Sequence, residues 1–210
     1  MERDRFLARV AGALLTARIP TAPDAAGGVP EPDGDLLTLF RSRAQEVSAV
    51  VHGPVSRHGA ERVVAGIASG HGSSTFVAWD DLPAPGVVPM LESAGLTRVP
   101  ATDGGLDRFR QLDLGVTGAA AALAESGSVV LIHGPGRPRL ASLVPDVHVV
   151  LVEIETIQPS LAHWAHSQPE PISSTANLVV VTGPSRTGDI ELQLNLGVHG
   201  PRHVHVVLID

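Results

Sequence analysis

Val147-His-Val-Val-Leu-Val152 is a run of apolar, mostly β-branched residues broken only by His148. A strand with one wet face would alternate apolar and polar residues. An unbroken run of this kind suits a strand covered on both faces, as in a parallel sheet. Working outward, Ser128-Val-Val-Leu-Ile132 and Leu178-Val-Val-Val181 have the same character. Residues 75–79, 112–116 and 203–209 add three more strand candidates. Helical spacing and cap residues predict helices over 36–50, over 57–69 behind an N-cap at Ser56, and over 87–93 with a stop at Ala94-Gly95. Residues 119–124 are almost pure Ala and Leu and predict another helix. Residues 156–165 predict one around Pro159. Strands separated by helices point to an α/β fold with a mostly parallel central sheet flanked by helices.

The N-terminus differs in texture. Residues 2–17 read as an amphipathic helix, with Phe6, Leu7, Val10 and Leu14 near helical spacing. Pro20, Pro23, Pro30 and Pro32 come next, in a linker rich in proline and glycine. The expected organisation is therefore a helix and linker over 1–35 and an α/β domain over 36–210. The short apolar run 10–15 lacks the length and cleavage site of a signal peptide. Nothing in the chain approaches a transmembrane length. A cytoplasmic protein is expected.

Composition excludes several chemistries. The chain has 210 residues, a net charge of −7 and no lysine, so Schiff-base catalysis and a phosphate-loop lysine are ruled out. Its arginines are scattered, which argues against nucleic acid or an anionic membrane as partner. Cysteine is absent. Thiolate nucleophiles and cysteine-held zinc are impossible, and an iron–sulfur cluster would lack its usual ligands. No cofactor is expected on this chain, and any redox centre should lie on another subunit.

In open α/β sheets ligands bind beyond the carboxyl ends of the strands. Three junctions fit that rule: 115–118, 183–189 and 196–202. The first two are expected to pass from a strand into a helix, which would present free N–H groups to an anion. In the second, Gly183 permits a turn, Ser185 is a natural N-cap and Arg186 supplies a bidentate donor, with Thr187 beside it. A small carboxylate or phosphate is the expected ligand. A capped helix with a structural Arg186 salt bridge is the plainer alternative. Thr117 and Gly118 offer a second cradle or, equally, a simple cap. Glu125 falls at the end of an expected apolar helix, unfavourably placed against its dipole, which invites a functional role or, more simply, a structural ion pair with an arginine. His199, in a loop with Gly200, is a candidate base or carboxylate ligand, against a turn residue.

Other features carry less. His199, His203 and His205, with His148, have no defined zinc spacing, so no metal site is expected. Gly70-His-Gly72 and Gly134-Pro-Gly136 fail the dinucleotide-binding pattern. Arg137 and Arg139 can form a basic flap over an anion, although solvated loop arginines are the simpler reading.

Three blocks carry a family resemblance. Gly115-Val-Thr-Gly118 leading to Glu125-Ser-Gly127, Gly183-Pro-Ser-Arg-Thr-Gly-Asp-Ile-Glu191 and Gly197-Val-His-Gly-Pro201 resemble, in order, the blocks of the lactate-utilisation protein C family, the LUD-domain group. Leu143-Val-Pro-Asp-Val-His148 resembles a fourth segment. Ser126 and Gly188 depart from the family's usual Thr and Ala, both conservatively. The resemblance spans roughly residues 50–210 and implies a fold similar to the sugar-phosphate isomerase and CoA-transferase group. It also implies a non-redox part in oxidising L-lactate to pyruvate, beside two iron–sulfur partner proteins. The alternatives are an independent enzyme like a CoA transferase or a sugar-phosphate isomerase, using Glu125 and His199, and a pure interaction module.

Overall fold

A computed structural model describes residues 2–16, 34–100, 112–175, 177–188, 194–197 and 199–210. Two units are present. The first, residues 1–30, contains helix α1 (Glu2–Thr16). The second, residues 31–210, carries the sheets.

The central sheet has six strands: β1 (Val50–Val55), β2 (Thr75–Ala78), β3 (Thr97–Arg98), β4 (Leu114–Gly118), β7 (Val147–Glu153) and β12 (His203–Ile209). Their order is β1-β12-β7-β4-β2-β3, and every pairing is parallel. Strand β7 lies in the middle, and its apolar run is buried throughout except at Glu153. The run is unbroken because both faces are covered. Helices α2 (Leu36–Glu46), α3 (Arg57–Gly70), α4 (Val87–Ser93) and the short α5 (Leu140–Leu143) supply much of that cover. Phe40, Val64, Leu91 and Ala141 are fully buried against the strands. Asp35 caps α2 and Ser56 caps α3, as its residue type predicts.

A second sheet of four strands has the order β8-β5-β6-β9, from β5 (Ala121–Leu123), β6 (Ser128–Ile132), β8 (Ile157–Gln158) and β9 (Leu178–Val181). It is mixed: β5 runs antiparallel to β6 and parallel to β8, and β6 runs antiparallel to β9. Helices α6 (Leu161–Ser167) and α7 (Pro169–Ser174) join β8 to β9, and α6 buries Trp164 against this sheet. A hairpin of β10 (Arg186–Gly188) and β11 (Leu194–Leu196) forms the third sheet.

Four expectations are corrected. The Ala-rich stretch 119–124 is strand β5 and the turn after it, because its backbone pairs with β6 and β8 on either side. Residues 183–188 turn into a hairpin strand, so Ser185 caps no helix. Helix α2 stops at Glu46, leaving Val50–Val55 free to be an edge strand. Residues 156–165 split into β8 and α6, parted at Pro159 and Ser160, with Ser160 as the N-cap.

Candidate functional site

The connections single out one end of the central sheet. From β2 the chain moves outward to β3, then returns to β4 on the other side of β2. The crevice between the carboxyl ends of β2 and β4 is therefore a topological switch point, where open sheets bind ligands. Trp79, Asp80 and Asp81 leave β2 there. Gly118 ends β4, and Glu153 ends β7. The loop 133–139 returns from the second sheet to close the crevice, with the Asp80 N–H donating to the Gly136 carbonyl at 2.9 Å.

Two cavities open at this end of the sheet. One of about 510 Å³ is lined by Ala78, Asp80, Arg98, Val99 and the loop residues Gly134 to Gly136. The other, of about 200 Å³, is lined by Trp79, Asp81, Pro83, Gly118, Ala119, Arg137 and Glu153. Gly118 leaves room for Pro83 and the Trp79 ring, which a Cβ would approach to 3.2 and 3.9 Å.

Three arginine–carboxylate pairs surround these cavities. Arg57, the first residue of α3, reaches Glu153 at 2.6 Å and also donates to the Pro83 carbonyl. Arg98 donates to Asp80 at 2.7 Å. Arg137 donates to Asp81 through Nε at 2.8 Å and through Nη2, while its guanidinium lies over the Trp79 ring. All three pairs are partly solvated, so each is weak enough for a competing anion to exchange with the resident carboxylate. Among the described residues the Nη1 of Arg137 takes no part in its pair with Asp81, and that guanidinium keeps donors for a ligand.

Beneath the crevice lies a buried polar layer. The Thr117 hydroxyl and His148 Nε2 stand 3.0 Å apart, both fully buried. Burial pushes His148 down to about 3, and its neighbour His133 adds to the shift, so the ring is neutral. His133 sits edge-on to Trp79 and is also lowered, mainly by burial.

The expected site residues fall into separate places. Thr117 and Gly118 belong to the crevice, Gly118 as lining and Thr117 directly below it. The described residues of the 183–200 segment lie at the other end of the sheet. His203, just beyond it in the chain, pairs in register with Val147, and Val147 pairs with Leu114. Gly118 is four strand steps further on, roughly 13 Å at about 3.3 Å per residue. Gly183 packs on Val47, just before β1, and its positive φ and the nearness of the Val47 carbonyl leave no space for a Cβ. Arg186 donates through Nη2 to the Val47 carbonyl at 2.8 Å and to the Ser48 hydroxyl at 2.6 Å. The Ser185 N–H donates to the Pro201 carbonyl, and Gly200 packs against the Ser185 side chain. Among the described residues this end is a knot of chain crossings with no helix N-terminus to cradle an anion. Thr187 is a strand residue opposite Asn195, and the acids Asp189 and Glu191 lie outside the described residues.

Glu125 is exposed in the turn after β5, its N–H bonded to the Pro159 carbonyl, with no ion pair among the described residues. His199 is exposed in the 197–200 loop. The two share no contact. Arg139 is exposed, whereas Arg137 is held by Asp81. Sequence reasoning passed over Trp79-Asp-Asp81, although the same carboxyl-end rule applied to the strand at 75–79 would have picked it out.

Comparison with known proteins agrees with this architecture. A solved structure of a DUF162 family protein from Deinococcus radiodurans superposes with a TM-score of 0.63 over 86% of this chain and 100% of that one, at 23% identity, a likeness of fold. "Lactate utilization protein C" of Geobacillus sp. (strain WCH70) is 34% identical over 164 residues, 67% of this chain and 64% of that protein. The protein of the same name from Halalkalibacterium halodurans is 36% identical over 112 residues, 50% of this chain and 48% of that one. The chain thus spans less than two thirds of the length of the curated relatives it matches. The family model described as "LUD domain" matches residues 37–209, nearly the whole second unit, and the chain belongs to the LUD domain family.

Proposed function

We propose that this chain is the non-redox component of a lactate-utilisation system and that its switch-point crevice binds a small carboxylate. The ring of Arg57, Arg98 and Arg137 at the strand ends carries the binding part of this reading. Arg98 lines the larger cavity and Arg137 the smaller, Arg57 is bonded to Pro83 and Glu153 of the smaller one's lining, and both cavities are of a size for a small acid, with Trp79 as a wall. The crevice is preferred over Gly183–Arg186 because the helix that would have made an anion cradle there is replaced by a hairpin, and Arg186 is already committed to Val47 and Ser48.

The names of the relatives support the lactate setting. The absence of cysteine supports a division of labour in which iron–sulfur partners carry the electrons. No described helix is long and apolar enough to cross a membrane. Deleting the gene should abolish growth on L-lactate while leaving growth on pyruvate intact, and the tagged chain should co-purify with cluster-containing proteins. Normal growth on L-lactate in a strain with no second lactate-oxidising system contradicts the reading.

A further inference from the structure

Four of the ten histidines meet on one face of the central sheet, at a place that the proposed function does not use. His203 and His205 alternate on β12 and so share a face. His52 comes from β1, and His71 is the C-cap of α3. His205 is 8% exposed and lies at the centre. Its Nδ1 is 3.1 Å from His52 Nε2, and its Nε2 is 3.1 Å from His71 Nε2. The His203 ring stands 4.6 Å from the His71 ring, centroid to centroid. His148 lies on the opposite face of the sheet, against Thr117, and does not join this group.

We propose that His71, His203 and His205 form a site for a transition-metal dication such as Zn²⁺ or Ni²⁺, with His52 as the residue that orients His205. The tautomer of His205 decides which lone pair is free. If His205 donates its Nδ1–H to His52 Nε2, its Nε2 lone pair faces His71. A ligating histidine with its second N–H held by an acceptor is the usual arrangement around bound metals. The His71 and His205 Nε2 atoms then form one edge of a coordination shell. Tetrahedral nitrogen ligands at about 2.0–2.1 Å from zinc stand roughly 3.3 Å apart, close to the spacing seen.

As the side chains lie, no three donors among the described residues converge on one point. His71 and His203 are exposed, however, and their ring centroids are 4.6 Å apart, so the proposed site requires the His203 side chain to turn toward that edge when the ion binds. Asp146, which precedes β7 at the same end of the sheet, acts electrostatically on His71 and pairs with Arg202 at 3.4 Å, is an acidic candidate for a fourth position. Imidazole ligands without thiolate suit zinc, nickel, copper or cobalt rather than magnesium or calcium.

The test is calorimetric titration of the metal-free chain with ZnCl₂ and NiCl₂ at neutral pH, together with the Co²⁺ absorption spectrum. The expected result is one saturable equivalent and a visible cobalt band. His71→Ala and His203→Ala, both at exposed positions, should abolish that band. His52→Ala should weaken binding about 10-fold or more while keeping the stoichiometry. His58→Ala, on the exposed face of α3, is the control and should bind as the parent does. Absence of saturable binding overturns the proposal. So does binding that survives both His71→Ala and His203→Ala, because the ion would then be held elsewhere. Neither result bears on carboxylate binding in the crevice.

Discussion

Arg137 grips Asp81 side-on, with its Nε 2.8 Å from Oδ2, while its guanidinium carbon stands 5.5 Å from the centre of the Trp79 ring. This contact joins the end of β2 to the loop that returns from the second sheet, and it places a cation at the mouth of the smaller cavity. The pair is partly solvated. Arg137→Ala should therefore change unfolding free energy by no more than about 1 kcal/mol in urea melts. A much larger loss would mean that the arginine is there to hold the loop.

Gly127 and Gly183 both have positive φ and both press on the C-terminal end of α2, at Ala44 in its last turn and at its C-cap Val47. A Cβ at either would overlap backbone atoms that cannot swing aside. Gly127→Ala and Gly183→Ala should each destabilise by more than about 2 kcal/mol, from backbone strain and overpacking together. Gly66→Ala is the contrast. It sits within α3 with nothing near its Cβ position and should stabilise by about 0.5–1 kcal/mol. Equal effects at all three positions in chemical denaturation would contradict this packing.

These glycines show which part of the sequence was legible. The strands at 128–132, 147–152 and 203–209 announced themselves as apolar runs, because burial on both faces forbids polar alternation. The run at 178–181 is as apolar, yet it forms an edge strand of the second sheet that is only half-buried. Gly183 and Ser185 were readable as a turn, yet the same residue types precede helices and hairpins alike. The choice between helix and hairpin after Ser185 is made by pairing with β11, a partner distant from any local signal. Residues 119–124 misled for a similar reason. Alanine has high helix propensity, but these alanines are buried between β6 and β8 and tertiary pairing overrides it. Strand β1 was hidden by Gly53-Pro54, which a sheet tolerates because β1 is an edge. The crevice was half visible: Thr117, Gly118 and the flap arginine Arg137 were picked out, whereas Arg57 and Arg98 come from α3 and β3, and only the fold brings them to the same end of the sheet.

His148 predicts a pH dependence with a definite sign. Its folded value is about 3, against an ordinary value near 6.5 when unfolded. Above pH 6.5 the ring is neutral in both states and contributes no slope. Between pH 6.5 and 3 the unfolded chain binds a proton that the folded chain refuses, so stability falls as pH falls. The slope from this one group approaches about 1.4 kcal/mol per pH unit. Below pH 3 its contribution levels off. His148→Gln should flatten the slope over this window in melts run from about pH 7 to about pH 4, relative to the parent. An unchanged slope would assign the acid sensitivity to other groups.

The central claim is that a small carboxylate sits in the switch-point crevice, and it is tested most directly by calorimetric titration of L-lactate and pyruvate into the parent chain, Arg137→Ala and Arg186→Ala. Saturable binding by the parent is expected, with loss of that binding in Arg137→Ala and its retention in Arg186→Ala. Binding that survives Arg137→Ala and disappears in Arg186→Ala would move the site to the opposite end of the sheet and contradict the claim.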